Sequence, residues 1–360
     1  MDLELGAIRI SELLHNARVR SASDIHFGGG AKPALRIDGR LIVIDDEPIP
    51  ESATQSFLET QLGAAALLRL TERGTGDGAC TIPGVAPARI HAYRQLGGLR
   101  VVVRLLAQAV PQLAGLELPT AIGAFAAAPL GLLLFTGPTG SGKTTALAAL
   151  VDTINRTSER NIITIEDPIE YIHTPIRSAI AQCEVGRDVV TYAEALRGML
   201  RADPDVILVG EMRDRETMAA ALTAAETGHL VLATLHTNDA AQTIDRIVDA
   251  FPPEAQNQIR AQIAAVLLAI VGLRLVPRRT GGGRRGAAEI LIASDAVRTM
   301  IREGKTHQLR NAIVTGRGAG MQTLEHHLTE LVTRREVALD EAQAVTSRPQ
   351  DVRDAARGVA

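Results

Sequence analysis

The alternation of hydrophobic and polar positions changes character part-way along the chain. In the first part, apolar residues at helical spacing predict a helix over residues 8–17, and residues 24–27 are predicted to form a short strand. Two strand-like runs, 35–37 and 40–44, flank Asp38-Gly39. This dipeptide tolerates the positive φ that a two-residue hairpin turn needs. The first part is therefore predicted to be a small α+β domain.

A second hairpin is predicted further along, with its turn at Gly97-Gly98. Because side chains alternate between the two faces of a strand, this register places Arg89, Arg100 and Arg104 on one face of the sheet. Such a cluster could supply arginine fingers for a phosphate site, or it could be a solvated basic face. Both interpretations remain open from the residues alone.

In the second part of the chain, short apolar runs alternate with helical patterns, which predicts a parallel sheet. The runs are residues 132–135, 161–165, 206–209 and 230–233. Each run is followed by polar residues, and ligands of open α/β sheets bind at the carboxyl ends of the strands. The four polar endings therefore predict one active site at one edge of the sheet.

A phosphate-binding loop follows the first of these runs and precedes a predicted helix over residues 145–154. Its sequence matches the pattern G-x-x-x-x-G-K-[ST], in which glycines let backbone N–H groups converge on phosphate oxygens. The lysine is expected to reach the terminal phosphates of ATP, and the hydroxyl that follows it to coordinate Mg²⁺. The candidate binding residues are Gly137, Pro138, Thr139, Gly140, Ser141, Gly142, Lys143, Thr144 and Thr145.

Two carboxylates and two histidines lie at the ends of the other strands. Glu166 could orient or deprotonate the attacking water, and Glu211 could hold the metal directly or through water. The alternative for each is a surface carboxylate in a loop. His229 and His236 flank the last run, where they could sense the nucleotide or serve a structural purpose.

Domain boundaries follow from a Pro/Leu/Gly-rich stretch near residues 110–119. The first domain is predicted over residues 1–110, a linker over 111–119, and an ATPase domain with C-terminal helices over 120–340. The tail, 341–360, is rich in Ala, Arg and Asp without clear periodicity, and we expect it to be mobile.

Composition narrows the classes of function. Hydrophobic residues make up 46 % and charged residues 22 %, which is typical of a globular protein. A net charge of −3 and 2 % aromatic residues count against nucleic-acid binding. The two cysteines, Cys80 and Cys183, have no metal-binding spacing. Without a signal peptide or a membrane-spanning apolar stretch, we expect a cytoplasmic protein that reaches membranes through partners.

Several segments together resemble one family, the PilT-type retraction branch of the secretion ATPases. The segments are the Asp-Ile-His run at 24–26, Arg-Ile-Asp-Gly-Arg at 36–40, Ile-Glu-Asp-Pro-Ile-Glu-Tyr at 165–171, residues 203–214 and residues 227–238. Assembly and type II secretion relatives usually carry a four-cysteine zinc insert, which residues 275–285 lack. Residues 296–304 are similar to the C-terminal signature of the retraction branch, so the resemblance favours retraction.

This resemblance implies an α/β protein with a PAS-like α+β N-terminal domain followed by a RecA-like P-loop ATPase domain. It implies an ATP- and Mg²⁺-dependent homohexameric motor of pilus retraction and twitching motility. The motor would lie at the cytoplasmic base of the pilus, against an inner-membrane platform protein. Glu166 would be the general base and Glu211 the Walker B carboxylate, while Arg89 and Arg104 match arginine-finger positions.

Other functions remain open at this point. The chain could be an accessory retraction paralogue, or an assembly or secretion ATPase of the same superfamily. A nucleic-acid translocase would share the phosphate loop, although composition counts against it. A regulatory protein that binds nucleotide and hydrolyses it too slowly to act as a motor is a further alternative.

Overall fold

The chain folds into two compact units, each built around one sheet. The computed structural model describes residues 2–20, 22–37, 40–82, 84–105, 109–280 and 282–358. Unit 1 comprises Met1–Ala109 and Pro168–Ile172, and unit 2 comprises Val110–Asp167 and His173–Ala360. The fold is therefore mixed α/β with two sheets.

Unit 1 is a six-stranded sheet with three helices. The helices are α1 (Asp2–Val19), α2 (Glu51–Gln61) and α3 (Ala64–Arg73), and the strands are β1 (Asp24–Gly28), β2 (Ala34–Ile37), β3 (Arg40–Val43), β4 (Thr75–Ile82), β5 (Ala86–Gln95) and β6 (Gly98–Leu105). The strand order is β3-β2-β1-β6-β5-β4, with every neighbouring pair antiparallel. The predicted first hairpin is confirmed as β2 and β3; its turn, Asp38-Gly39, lies outside the described residues.

The two faces of the unit 1 sheet differ in chemistry because its side chains alternate. One face is apolar and packs on the helices; it includes Ile25, Phe27 and Val103, all fully buried. The opposite face carries charged side chains, among them Asp24 and Arg104, which are partners across β1 and β6. Hydrophobic burial therefore fixes which residues remain on the polar face.

The turn of the second hairpin differs from the prediction by one residue. Gln95 pairs with Gly98, so the two turn residues are Leu96 and Gly97. Gly97 has a φ of 95°, which a glycine adopts readily. The consequence is that Arg89 pairs directly with Arg104 instead of with residue 106. Sliding the turn by one residue moves the pairing by two, so both arginines stay on the predicted face.

Unit 2 contains a seven-stranded sheet surrounded by helices. The strands are β7 (Gly131–Thr136), β8 (Asn161–Glu166), β9 (Ala179–Glu184), β10 (Val206–Val209), β11 (Leu230–Leu235), β12 (Leu267–Pro277) and β13 (Arg284–Ile292). The helices are α4 (Ala121–Ala124), α5 (Lys143–Thr157), α6 (Tyr192–Met199), α7 (Arg215–Glu226), α8 (Ala240–Asp249), α9 (Pro253–Val266), α10 (Asp295–Arg302), α11 (Leu309–Thr315), α12 (Leu324–Thr333), α13 (Leu339–Ala344) and α14 (Pro349–Gly358).

The unit 2 sheet has the order β13-β12-β7-β11-β10-β8-β9, and the six strands from β12 to β9 are parallel. This confirms the predicted parallel sheet. Helices cover both faces: Phe135 packs with Leu150 of α5, whereas Leu134 packs with Ile244 of α8. Burial on both faces explains why these strands read as continuous apolar runs. It leaves their carboxyl ends as the place for polar chemistry.

The C-terminal region is helical to Gly358, and the expected mobile tail is wrong for residues 341–358. Ala342 of α13 and Val352 of α14 are fully buried in a cluster with Leu328 and Val276. Asp351 also accepts a hydrogen bond from Arg310, at 2.9 Å. A helix this short needs only one or two apolar anchors, which is too weak a periodic signal to recognise in the sequence.

Among the described residues, no helix combines the length and apolar character that crossing a bilayer requires.

Candidate active site

The phosphate loop begins directly after β7 and ends in the first turn of α5. Gly137, Gly140 and Gly142 all have positive φ, at 139°, 77° and 92°. A Cβ on Gly137 would lie 2.5 Å from the carbonyl oxygen of Leu273, so no larger residue fits there without a shift. The loop can therefore turn its backbone N–H groups inward, next to the positive end of the α5 dipole.

Lys143 holds its ammonium group inside this loop. The side chain is buried, and Nζ donates hydrogen bonds to the carbonyl oxygens of Gly137, at 2.7 Å, and Pro138, at 3.0 Å. The hydroxyl groups of Thr136 and Ser141 are buried nearby and have no hydrogen-bond partner among the described residues. A cation and unpaired hydroxyl donors in one concave loop are suited to an anionic ligand.

The sheet register places the predicted carboxylates beside the loop. Ile165 of β8 pairs with Val209 of β10, and Val209 pairs with Ala233 of β11. Leu235 of β11 in turn pairs with Thr136 of β7. The residues that follow these strands are therefore brought to one edge, as the sequence predicted.

Glu166, the last residue of β8, is held by neighbouring polar groups. It is buried, and its Oε1 accepts a hydrogen bond from Thr164 Oγ1 at 2.7 Å and another from Gln182 Nε2 at 3.3 Å. A carboxylate held in this way has a fixed orientation at the sheet edge, as a group that acts on a water molecule requires. Neither supporting residue was among the candidates from the sequence; a threonine inside the apolar run of β8 was the available signal.

Glu211 follows β10 and is engaged through both oxygens. Its Oε2 lies 2.7 Å from Arg213 Nε, and its Oε1 lies 3.1 Å from His236 Nε2. Direct binding of a metal ion would have to displace one of these partners, whereas binding through water would leave both in place. Arg213 is the more exposed of the two partners, so it is the one that a metal ion could displace.

Close packing explains why a glycine, Gly210, stands between β10 and Glu211. A Cβ on Gly210 would lie 3.0 Å from the Tyr192 hydroxyl, 3.2 Å from the Ile165 carbonyl oxygen and 3.3 Å from Glu166 Cα. Tyr192 is not among the residues singled out from the sequence. Burial, together with the carboxylates of this edge, raises the pKa of its phenol above the ordinary value. The space that an aspartate at position 210 would need is therefore taken by groups that shape the site.

The two histidines do not share the site. His236 follows the carboxyl end of β11 and contacts Glu211. His229 precedes the amino end of the same strand, and its Nδ1 lies 2.8 Å from the carbonyl oxygen of Ala224 at the end of α7. A strand of this length separates the two histidines by roughly 20 Å. His229 therefore lies at the opposite end of β11 from the phosphate loop, which favours the structural role for this histidine over nucleotide sensing within one chain.

Arg89 and Arg104 belong to unit 1, where they are direct cross-strand neighbours. Arg104 Nε donates to Asp24 Oδ1 at 2.7 Å, and Arg89 Nη2 lies 3.8 Å from Asp77. Burial by itself raises the pKa of Asp24, but hydrogen bonds from Ser23 and Arg104 and the Arg104 charge outweigh it and lower that pKa. Arg104 therefore also supports a buried carboxylate.

A cavity of about 810 Å³ adjoins the phosphate loop. Its lining comes from the loop itself, the start of α8, the ends of β12 and β13, and the C-terminal helices. It is rich in charge, with Arg274, Arg284 and Arg310 near Asp239 and Glu289. A cavity of this size and polarity is large enough for part of a ligand whose phosphates occupy the loop.

The residues present fit ATP with Mg²⁺. The loop offers N–H groups, a buried ammonium and unpaired hydroxyls, while Thr144 and Glu211 are oxygen donors of the kind that Mg²⁺ prefers. Within the described ranges, no group of three or more His, Cys, Asp or Glu could cage a metal ion.

Comparison with known proteins identifies the family. The family model described as type II/IV secretion system protein matches residues 6–360. The chain belongs to this secretion system family. The type IV pilus retraction ATPase PilT of Pseudomonas aeruginosa is 41 % identical over 342 residues, covering 95 % of this chain and 99 % of that protein. The type IV pilus ATPase PilU of the same organism is 34 % identical, covering 96 % and 91 %.

A solved structure agrees with these matches. The crystal structure of the pilus retraction motor PilT with bound ADP superposes with a TM-score of 0.88 at 40 % identity, covering 97 % of this chain and 98 % of that one. Membership in the secretion system family, with relatives of this similarity over nearly the whole length, establishes the chain as an ATPase.

Proposed function

We propose that this ATPase is a motor that powers type IV pilus retraction by removing pilin subunits. The observation that carries the proposal is the convergence of the phosphate loop, Glu166, Glu211 and His236 at one sheet edge. This convergence occurs in a chain similar to a retraction ATPase along 95 % of its length. The fold alone would not distinguish a motor from other P-loop proteins.

We assign unit 1 to a PAS-like domain and unit 2 to a RecA-like domain. Unit 1 is an antiparallel sheet with helices on one face, and unit 2 is a largely parallel sheet with a phosphate loop after β7. Both assignments follow the resemblance that the motifs carry.

In the proposed mechanism, the loop from Gly137 to Thr145 binds the phosphates of ATP. Lys143 exchanges its contacts to loop carbonyls for phosphate oxygens, so the ammonium stays satisfied in both states. Mg²⁺, when bound, neutralises charge on the transferring phosphoryl group. Thr144 and Glu211 would hold it, Glu211 directly or through water.

Glu166 is the proposed general base. The Thr164 and Gln182 hydrogen bonds fix the orientation of the carboxylate, which can then position a water molecule for in-line attack. The water's proton would pass to Glu166 as the new P–O bond forms and the bond from the γ-phosphorus to the β–γ bridging oxygen breaks, with ADP as the leaving group. Placing this residue at the end of a buried strand limits its motion.

His236 is proposed to report the state of the phosphate site through Glu211. A change of charge at the metal site would be felt first by this carboxylate and then by the imidazole 3.1 Å away. His229 has no part in this site within one chain.

Arg89 and Arg104 are proposed as arginine fingers of a homohexamer. A guanidinium stabilises charge on the transferring phosphoryl group. Each could serve the ATP of its own chain or that of a neighbour. The proposed docking partner of the ring is the inner-membrane platform protein of the pilus machine, at the cytoplasmic side.

The test is complementation of a Pseudomonas aeruginosa strain that lacks PilT. Wild-type chain should restore twitching and the shortening of individual pili, whereas Lys143→Ala should leave pili that extend but never shorten. Lys32→Ala is the matched control, because that lysine belongs to unit 1, is half exposed and pairs with Asp45. Restored shortening with Lys143→Ala would contradict the proposal. Bald cells on deletion of the gene in its own piliated host would favour an assembly ATPase.

A further inference from the structure

The segment from His236 to Ala240 joins β11 to α8 and is held from the side by two other strands. We call it the His236 segment. Its first residue contacts Glu211, and its last residue begins α8. A segment that carries a group of the active site and is anchored elsewhere can transmit the position of its anchors to that group.

The first anchor is Arg274 of β12. Its Nη2 donates to the carbonyl oxygen and to Oδ1 of Asn238, both at 3.1 Å, while Nη1 donates to Leu273 O at 2.9 Å. The same guanidinium lies beside the phosphate loop, since a Cβ on Gly137 would be 3.2 Å from Nη1. Arg274 therefore contacts the middle of the His236 segment and borders the first loop glycine.

The second anchor is Glu289 of β13. Its Oε1 accepts a hydrogen bond from the backbone N–H of Ala240 at 2.9 Å, and the residue is 8 % exposed. Glu289 pairs with Gly272 across the sheet, and Arg274 lies two residues further along β12, so both anchors lie on one face. That face is the one toward α8.

We propose that Glu289, together with Arg274, is a positioning residue that keeps His236 against Glu211 by fixing the His236 segment. This inference rests on the proposed ATPase site and adds residues that do not touch the reacting atoms. The physical basis is that a carboxylate at a helix N-terminus is a strong acceptor of a backbone N–H. The loss of this bond would let the segment move relative to β10.

The ionisation of Glu289 gives a second line of support for its role as an anchor of the His236 segment. Burial, with the nearby charges of Asp239 and Glu325, raises the pKa of Glu289 to about 7, against the opposing effects of the Ala240 N–H and Arg310. The guanidinium of Arg274 also interacts with this carboxylate, from β12. Because the ionised carboxylate accepts the N–H more strongly, kcat should contain a component that rises with pH near 7. Glu289→Gln should remove that component.

The decisive experiment is a double-mutant cycle between Glu289 and His236. Glu289→Ala should lower kcat on the order of tenfold with the KM for ATP changed less than about twofold, as expected for loss of one charge-assisted hydrogen bond. In a His236→Ala background, the same change should lower kcat by less than about twofold. If Glu289→Ala lowers kcat by the same factor in the parent chain and in the His236→Ala background, the inference is overturned.

The matched control is Glu325→Gln. Glu325 is also buried and lines the same cavity, but it bonds to Arg310 and Thr346 and not to the His236 segment. Its substitution should leave kcat at high pH, where Glu289 is ionised, within about twofold of the parent value, and should move the rising part of the pH profile to lower pH because it removes a negative charge near Glu289. An equal effect of Glu325→Gln would show that general cavity charge, and not the segment, is responsible.

A second measurement is independent of activity. In Glu289→Ala, hydrogen exchange at the Ala240 amide should become roughly ten- to hundredfold faster, and Glu289→Gln, which keeps an acceptor oxygen, should show a smaller change. Unchanged protection in both variants would contradict the anchor. A wild-type protein without ATPase activity would refute the proposed function instead, so the two failures can be told apart.

Discussion

The buried guanidinium of Arg285 gives a stability prediction whose size follows from its contacts. Arg285 Nε lies 2.6 Å from Glu336 Oε2. Arg285 Nη1 donates a hydrogen bond to the Glu117 carbonyl oxygen and lies 3.4 Å from Glu117 Oε2. Its side chain is 7 % exposed, against 29 % for Glu336 and 46 % for Glu117. Breaking a fully buried pair costs about 3–5 kcal/mol. Because both acids are partly exposed here, we expect Arg285→Leu to cost about 2–3 kcal/mol.

Arg278 is the matched comparison because it pairs with the same Glu117 from a more exposed position. Its side chain is 34 % exposed, so Arg278→Leu should cost less than about 1 kcal/mol. Urea unfolding followed by circular dichroism would compare the two variants with the parent chain. Equal losses for both, or a neutral Arg285→Leu, would refute the reasoning that burial and the number of partners set the energy.

Three further predictions concern the other sites. Arg104→Ala should slow ATP hydrolysis and also lower the melting temperature, because buried Asp24 loses its partner at 2.7 Å. Arg104→Lys should restore the melting temperature but not the hydrolysis rate, and restoration of both would argue against an arginine-finger role for Arg104. Thr164→Val should lower kcat about tenfold at unchanged ATP affinity, since Glu166 loses one orienting bond, and an unchanged kcat in steady-state assays would contradict this. Burial and the nearby guanidinium of Arg285 lower the pKa of His327 from 6.5 to about 4, so the folded state favours the neutral imidazole. The stability that His327 contributes is therefore complete above pH 6.5 and is lost as the pH falls toward 4. Relative to His327→Gln, the parent chain should lose roughly 2–3 kcal/mol over that interval in melts at several pH values, and parallel pH profiles would contradict the assignment.

The active-site edge was predictable because two strong signals coincide there. Strands buried on both faces must be continuous apolar runs, and a polar residue directly after such a run can only lie at the sheet edge. Lys143, Glu166, Glu211 and His236 were predicted in this way, and the structure brings them to that edge. His229 was misplaced because flanking a strand does not say which end of the strand faces the ligand.

Other features depend on contacts between residues far apart in the chain, and the sequence around each of them carries only a weak signal. The turn at Leu96-Gly97 and the turn at Gly97-Gly98 are both acceptable locally, and pairing along the whole of β5 and β6 selects one. The helices at the C-terminus depend on single anchors such as Val352. Glu289 did leave a signal, a lone acidic residue within the apolar run of β13, but its partner Ala240 is far away in the sequence.

In the proposed mechanism, Glu166 activates water at a site that does not need this residue to bind ATP. The most direct measurement compares ATP binding and turnover of Glu166→Gln with those of the parent chain. We expect ATP binding within a few-fold of the parent and turnover lower by at least about 100-fold, because an amide of the same size cannot accept the proton. Turnover equal to that of the parent chain would contradict the account.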